Sequence, residues 1–190
     1  MKQILFIIGS FRKASFNRQL AKVAEELLKD RFEISYLDFK DIPYMNQDEE
    51  RLQDHMTTCQ QAVFRVRQEV LKADGIWIFT PEYNHSYPGL LKNLFDWLSR
   101  PMDVTNFANP TAVQGKKVTA SGAGGRNMTK SCREKLNELL EYIKMDVMKE
   151  PQTGIALGME AWVKGEFKLT EEQLNELKIQ AEKFAEFVGK

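Results

Sequence analysis

Phe79-Thr80-Pro81-Glu82-Tyr83-Asn84-His85-Ser86-Tyr87-Pro88-Gly89-Leu90-Leu91-Lys92-Asn93-Leu94-Phe95-Asp96-Trp97-Leu98-Ser99-Arg100 decides how this chain is read. A continuous apolar run, residues 76–79, leads into it, and Leu90, Leu91, Leu94, Phe95 and Leu98 leave it at helical spacing. The order is therefore strand, turn, helix. Pro81 ends the strand because it cannot donate to a ladder, and Pro88 suits a first helical turn, where a missing N–H costs nothing. Asp96 and Arg100 stand four apart on the helix, an ion pair worth ~0.3 kcal/mol. Aromatic and amide side chains at the carboxyl end of a buried strand are where open α/β sheets hold their ligands.

Upstream, residues 3–8 form a nearly all-apolar run, the pattern of a strand buried on both faces, and the run stops at Gly9-Ser10. Leu20, Val23, Ala24, Leu27 and Leu28 then mark one helical face, and residues 32–37 return to strand. Such a unit leaves a right-handed parallel crossover as its topology. Asp48-Glu49-Glu50 opens a polar helical stretch, read as a solvated helix start, and Val63, Val66 and Val70 mark the helix that leads to the strand at 75–80.

Downstream, residues 101–115 carry no period, and loops of that length tend to be functional. Residues 117–121 predict a fourth strand, followed by Gly122-Ala123-Gly124-Gly125 and a helix with Leu136, Leu139, Leu140 and Ile143. A fifth strand is expected within 147–157, where Pro151 and Gly154 interrupt the pattern. Thr170-Glu171-Glu172-Gln173 is a capping box, and Leu174, Leu177, Ala181, Phe184 and Val188 give the closing helix its apolar stripe. Five strands alternating with five helices predict a doubly wound parallel sheet, in one domain spanning residues 1–190.

Twenty-seven basic residues balance twenty-seven acidic ones, so no global field draws the protein to nucleic acid or to a membrane surface. No apolar run approaches a membrane span and the amino terminus lacks a signal-peptide pattern, so a soluble cytoplasmic protein is expected. Cys59 and Cys132 suggest neither a disulfide framework nor a zinc site, and His55 and His85 supply few metal ligands.

The loop Gly9-Ser10-Phe11-Arg12-Lys13-Ala14-Ser15-Phe16-Asn17 sits where a doubly wound fold presents a helix N-terminus, which favours an anion. Ser10, Ser15 and Asn17 add neutral polar groups and Arg12 a planar charged donor. Each taken alone has an ordinary reading, Ser15 or Asn17 as a helix cap and Arg12 as a solvated charge. Together they suit a phosphate. The residues after Lys13 are Ala14-Ser15-Phe16, so the triphosphate loop is absent, and Gly9 is the loop's one glycine, so the dinucleotide fingerprint is absent too. A mononucleotide with one terminal phosphate fits better. Hydrogen bonds to charged groups contribute ~1.5–3 kcal/mol each, against at most ~2 from the helix dipole, so side-chain contacts dominate.

Gly9-Ser10-x-Arg12-x-x-Ser15-x-Asn17-x-x-Leu20, with Pro81-Glu82-Tyr83-Asn84 and Pro88-Gly89-x-Leu91-Lys92-Asn93-x-x-Asp96-Trp97-x-Ser99-Arg100, resembles the NAD(P)H-dependent FMN reductase family of flavodoxin-like proteins, which includes quinone, azo and chromate reductases. The resemblance covers about residues 1–157. It implies a three-layer α/β fold around a five-stranded parallel sheet, and FMN with its phosphate on Ser10, Arg12, Ser15 and Asn17. It implies that Pro81, Glu82, Tyr83 and Asn84 line the flavin ring, partly through main-chain groups, with Ser121, Gly122 and Gly125 on the ring's other edge. It further implies NAD(P)H as hydride donor, a small-molecule electron acceptor such as a quinone, ping-pong turnover, and a homodimer or homotetramer in which Trp97 belongs either to the subunit interface or to the core. A flavodoxin-like electron carrier and a flavin reductase that releases reduced FMN are the rival readings.

His85 is read as an exposed loop histidine and Cys132 as a packing residue. Trp162 and Phe167 either cover the sheet edge or close over a substrate.

Overall fold

The computed structural model describes residues 1–50, 58–103, 105–106 and 108–189; His55 and the side chain of Cys59 lie outside the described residues. The chain runs β1 (Gln3–Ile8), α1 (Phe16–Leu28), β2 (Glu33–Tyr36), a 3-10 turn (Gln47–Glu49), α2 (Thr58–Lys72), β3 (Gly75–Phe79), α3 (Gly89–Leu98), β4 (Lys117–Gly124), α4 (Lys130–Tyr142), β5 (Asp146–Val147), β6 (Gly154–Ala156), α5 (Met159–Lys164) and α6 (Glu171–Gly189). All strands pair in parallel in the order β2-β1-β3-β4-β5, the flavodoxin-like doubly wound order, with β6 pairing further along β4.

Strand side chains alternate between faces and both faces are covered by helices, which explains why β3 and all of β1 after Gln3 lack polar side chains. Ile4, Phe6, Ile8, Trp77 and Phe79 pack with Leu20, Ala24, Leu177, Ala181 and Phe184 of α1 and α6. Leu5, Ile7, Ile76 and Ile78 face the other way, against Val66, Val70, Leu91, Leu94, Phe95, Leu136 and Leu140 of α2, α3 and α4. The result is helices, sheet, helices. Each large side chain buried there contributes ~1.5–3 kcal/mol.

The expected fifth strand is split. β5 pairs with Lys117 and Val118, β6 with Gly122, Ala123 and Gly124, and residues 148–153 leave the ladder between them. The buried side chain of Gln180 on α6 fills that gap. Its Oε1 accepts from Thr153 N at 2.7 Å and Ser121 Oγ at 2.8 Å, while its Nε2 donates to Thr119 Oγ1 and Ala120 O, both at 3.0 Å. One amide thus satisfies two backbone groups left without a ladder partner, Thr153 N and Ala120 O, and two buried hydroxyls beside them.

Other expectations shift. The capping box forms as expected, Thr170 N donating to Gln173 Oε1 and Gln173 N to Thr170 Oγ1. Pro88 caps α3 from just outside the first turn. Asp96 pairs with Lys92 at 2.5 Å and Arg100 with Glu50, so the expected Asp96–Arg100 pair does not form. Trp97 is buried, its Nε1 donating to Pro43 O at 2.9 Å, which assigns it to the core of this chain. β4 runs three residues past its expected end because β6 pairs with that extension. α5 adds a helix between the last strand and the closing helix, where the periodicity alone predicted none.

Candidate active site

The strand order reverses between β1 and β3, and an open sheet of this kind leaves its crevice outside the carboxyl ends of those strands. Register sets Ile8 beside Phe79 and Phe79 beside Ser121, so the loops that follow β1, β3 and β4 emerge side by side.

The first loop is drawn close to β3. Gly9 N donates to Phe79 O at 2.8 Å, and a Cβ on Gly9 would stand 2.8 Å from Thr80 Oγ1 and 3.0 Å from Leu91 Cδ1, so only glycine permits this approach. Ser15 N donates to Arg12 O at 3.1 Å, turning the chain into α1, and Ser15 Oγ accepts from Arg18 N as the helix cap. Helix geometry leaves the N–H groups of Phe16 and Asn17 without intrahelical acceptors. Ser10 Oγ accepts from Arg12 N at 3.4 Å, and the exposed Arg12 guanidinium lies 4.8 Å from the centre of the Phe16 ring. Asn17 is buried: its Oδ1 accepts from Ala123 N at 2.8 Å and its Nδ2 donates to Ala123 O at 3.1 Å. It binds the first loop to the end of β4.

The second loop is a tight hairpin. Tyr83 and Ser86 exchange backbone hydrogen bonds of 2.9 and 3.0 Å around Asn84 and His85, whose φ angles are 53° and 57°. Two successive left-handed residues define a turn of the I′ kind, which Asn tolerates well. Tyr83 is exposed, and so is His85, whose Nδ1 lies 3.6 Å from Glu82 Oε1. The Glu82 carboxylate also reaches the third loop and the start of α4. It accepts from Asn127 Nδ2 at 2.9 and 3.0 Å and from Cys132 N at 2.9 Å. Thr129 precedes α4 in the left-handed region and makes no side-chain cap, so Glu82 supplies the capping charge from another loop.

In the third loop, Ser121 and Gly122 are buried and only Gly125 is open, with nothing within 4 Å of a Cβ placed on it. Ser121 Oγ accepts from Trp77 Nε1 at 3.0 Å and donates to Gln180. At Gly122 a Cβ would stand 2.2 Å from Thr129 Oγ1 and 2.4 Å from Thr80 O. Both residues therefore hold the strand ends together from below the crevice. Cys132 is buried and its thiol is pushed up to about 11, chiefly by burial, so it packs and stays protonated.

Sequence reasoning missed Asn127, Gln19 and Gln180 as organising residues. Gln180 leaves a signal, a polar residue between Leu177 and Phe184 on the apolar face of α6. Asn127 and Gln19 leave none, because their partners lie on other elements.

This donor set suits a phosphate monoester: a hydroxyl, a guanidinium with its N–H edge free, and the open N–H groups of a helix start. The hairpin that follows the neighbouring strand offers exposed residues and the exposed aromatic ring of Tyr83.

Comparison with known proteins points the same way. The family described as NADPH-dependent FMN reductase matches residues 2–160. A 2-hydroxy-1,4-benzoquinone reductase from Burkholderia sp is 32% identical over 151 residues, 79% of this chain and 76% of that protein. A quinone reductase from Escherichia coli (strain K12) is 33% identical over 151 residues, 79% of this chain and 75% of its own. Among solved structures, a flavoenzyme NAD(P)H:(acceptor) oxidoreductase from Paracoccus denitrificans superposes with a TM-score of 0.83 at 27% identity, covering 100% of this chain and 98% of that one. Fold, loops and sequence together place this chain in the NADPH-dependent FMN reductase family, a family of oxidoreductases that work with FMN and NAD(P)H.

Proposed function

We propose that this chain, acting as one domain, is a quinone reductase that moves hydride from NAD(P)H through bound FMN to an electron-poor small molecule. FMN, when bound, supplies the two-electron relay between donor and acceptor. The chain's own groups bind and orient. Ser10, Arg12 and the N–H groups at the start of α1 hold the phosphate, with Ser15 capping that helix and Asn17 fixing the loop's height against β4. The main chain of Pro81, Glu82, Tyr83 and Asn84 lines one side of the ring, and the exposed backbone at Gly125 faces its other edge, above the buried Ser121 and Gly122.

The observation that carries this reading is the side-by-side placement of an anion-suited loop and an exposed hairpin across the β1–β3 crevice. The quinone class rests on the two quinone-reducing relatives. Exposed Phe11, Tyr44, Tyr83 and Met128 around the carboxyl edge support a homodimer or homotetramer that covers them. Among the described residues no helix is long and apolar enough to cross a membrane; a cytoplasmic location is part of the proposal.

The test is direct. Purified protein reconstituted with FMN is expected to show a flavin absorption spectrum, to be bleached by NAD(P)H without air, and to recover its colour on adding a benzoquinone. Initial rates at varied donor and acceptor are expected to give parallel double-reciprocal lines, the mark of a ping-pong sequence. A colourless protein that refuses FMN, or intersecting lines, sinks the reading or its mechanism respectively.

A further inference from the structure

The segment 159–169 lies almost wholly beyond the residues the family model matches, yet it packs directly on the phosphate end of the site. Phe16, the first residue of α1, is buried, and Trp162 of α5 meets its ring edge-on at 5.2 Å and 83°. Phe167 meets it from another side at 6.0 Å and 75°. Gln19, one turn along α1, pins the segment by its backbone: Nε2 donates to Gly165 O at 2.9 Å and Oε1 accepts from Phe167 N at 3.3 Å. Gly165, at φ 74°, turns the chain back after α5, and a Cβ there would stand 3.9 Å from Arg12 Nη2. The free face of Phe16 carries the Arg12 guanidinium, which makes no ion pair among the described residues. Stacking occupies the face of a guanidinium and leaves its in-plane N–H groups free for an anion.

We propose that segment 159–169 is a specificity-determining buttress: Trp162 and Phe167 fix Phe16, Phe16 fixes the Arg12 guanidinium, and this stack makes the chain prefer a flavin bearing a 5′-phosphate over the unphosphorylated one. The proposal rests on the FMN reading above and assigns a positioning role to two aromatic residues outside the loops that touch the ligand. Trp162 remains half-exposed although it packs on a buried ring, as expected of a side chain placed to support a neighbour from the surface.

Dissociation constants for FMN and for riboflavin, measured by flavin fluorescence quenching, test it in wild type, Trp162→Ala, Phe167→Ala, Arg12→Ala and the double variant Arg12→Ala/Trp162→Ala. Removing support for one stacked cation is expected to weaken FMN about three- to tenfold and leave riboflavin unchanged. In the Arg12→Ala background the Trp162→Ala change is expected to cost nothing further, and Trp162→Phe is expected to restore FMN affinity. Equal losses for both flavins, or a Trp162→Ala loss that persists without Arg12, overturn the buttress and leave the FMN reading standing. A wild-type protein that binds neither flavin overturns both. Thermal midpoints of the same variants identify one that fails to fold, and Phe167→Leu then replaces it as the probe.

Discussion

Asn17 holds both backbone polar groups of Ala123, the side-chain oxygen accepting from Ala123 N at 2.8 Å and the nitrogen donating to Ala123 O at 3.1 Å. The two residues are 106 positions apart. These two hydrogen bonds tie the start of α1 to the end of β4. Asn17→Ala leaves a buried donor and acceptor unpaired at ~1–3 kcal/mol each, so a loss of about 2–5 kcal/mol is expected in urea unfolding. Asn17→Asp is expected to do no better, because a carboxylate oxygen then faces the Ala123 carbonyl. A change below about 0.5 kcal/mol for either variant would contradict the role.

Glu82 offers a second bracket between loops. Glu82→Ala removes the cap of α4 and releases Asn127, at an expected cost of ~1–2 kcal/mol. Because the proposed FMN site sets the third loop beside the ring rather than the phosphate, FMN and riboflavin affinities are expected to fall by the same factor. Calorimetric titration with both ligands checks this. A loss confined to FMN would place Glu82 at the phosphate end instead.

Gln180→Leu tests the repaired gap in the sheet. The substitution keeps about the same volume but strips partners from Thr119, Ala120, Ser121 and Thr153 at once. A destabilisation of about 3–5 kcal/mol is expected, near the upper end of single-residue effects. Hydrogen exchange should show lost protection concentrated at Thr153 N, whose acceptor is removed. Uniform loss across the sheet would argue against a local repair.

Gly122→Ala forces a methyl toward the Thr80 carbonyl, which is main chain and cannot rotate away. Strain of about 1–3 kcal/mol is expected by chemical denaturation. Gly125→Ala, with open space around it, is expected to change stability by less than ~0.5 kcal/mol.

Alkaline pH should loosen the fold through Cys132. Its thiol ionises from an ordinary value of 9.0 in the unfolded chain and only near 11 when buried. The stability it contributes is complete below about pH 9 and is lost as pH rises through 11, to the order of 2–3 kcal/mol. Tyr36, raised by burial and by its hydrogen bond to Glu25, acts in the same direction at still higher pH. The urea midpoint is expected to fall between pH 9 and 11, less steeply in Cys132→Ala. Equal slopes for the two proteins would remove Cys132 from the account.

The sequence by itself determined the first four strands, the helices α1 to α4 and α6, and the alternation that makes a doubly wound sheet, but neither α5 nor the split of the last strand. Apolar runs such as 76–79, the stripe from Leu90 to Leu98, the Thr170–Gln173 cap and the proline-punctuated turn between Pro81 and Pro88 are local patterns, and the backbone obeys them because hydrogen bonding and side-chain burial act over a few residues. It also singled out the first loop as the place to look for an anion site and the turn after β3 as its neighbour, the reading on which the proposed function rests. Tertiary structure alone decided what each polar side chain does. Asn17 reaches Ala123, Glu82 caps α4 and Ser121 turns inward to Trp77 because parallel strand register sets residues many tens of positions apart at hydrogen-bond distance. Those pairings leave no periodic trace, and neither does the packing of Trp162 on Phe16. A side chain's chemistry is written at its own position, but its partner is chosen by the sheet.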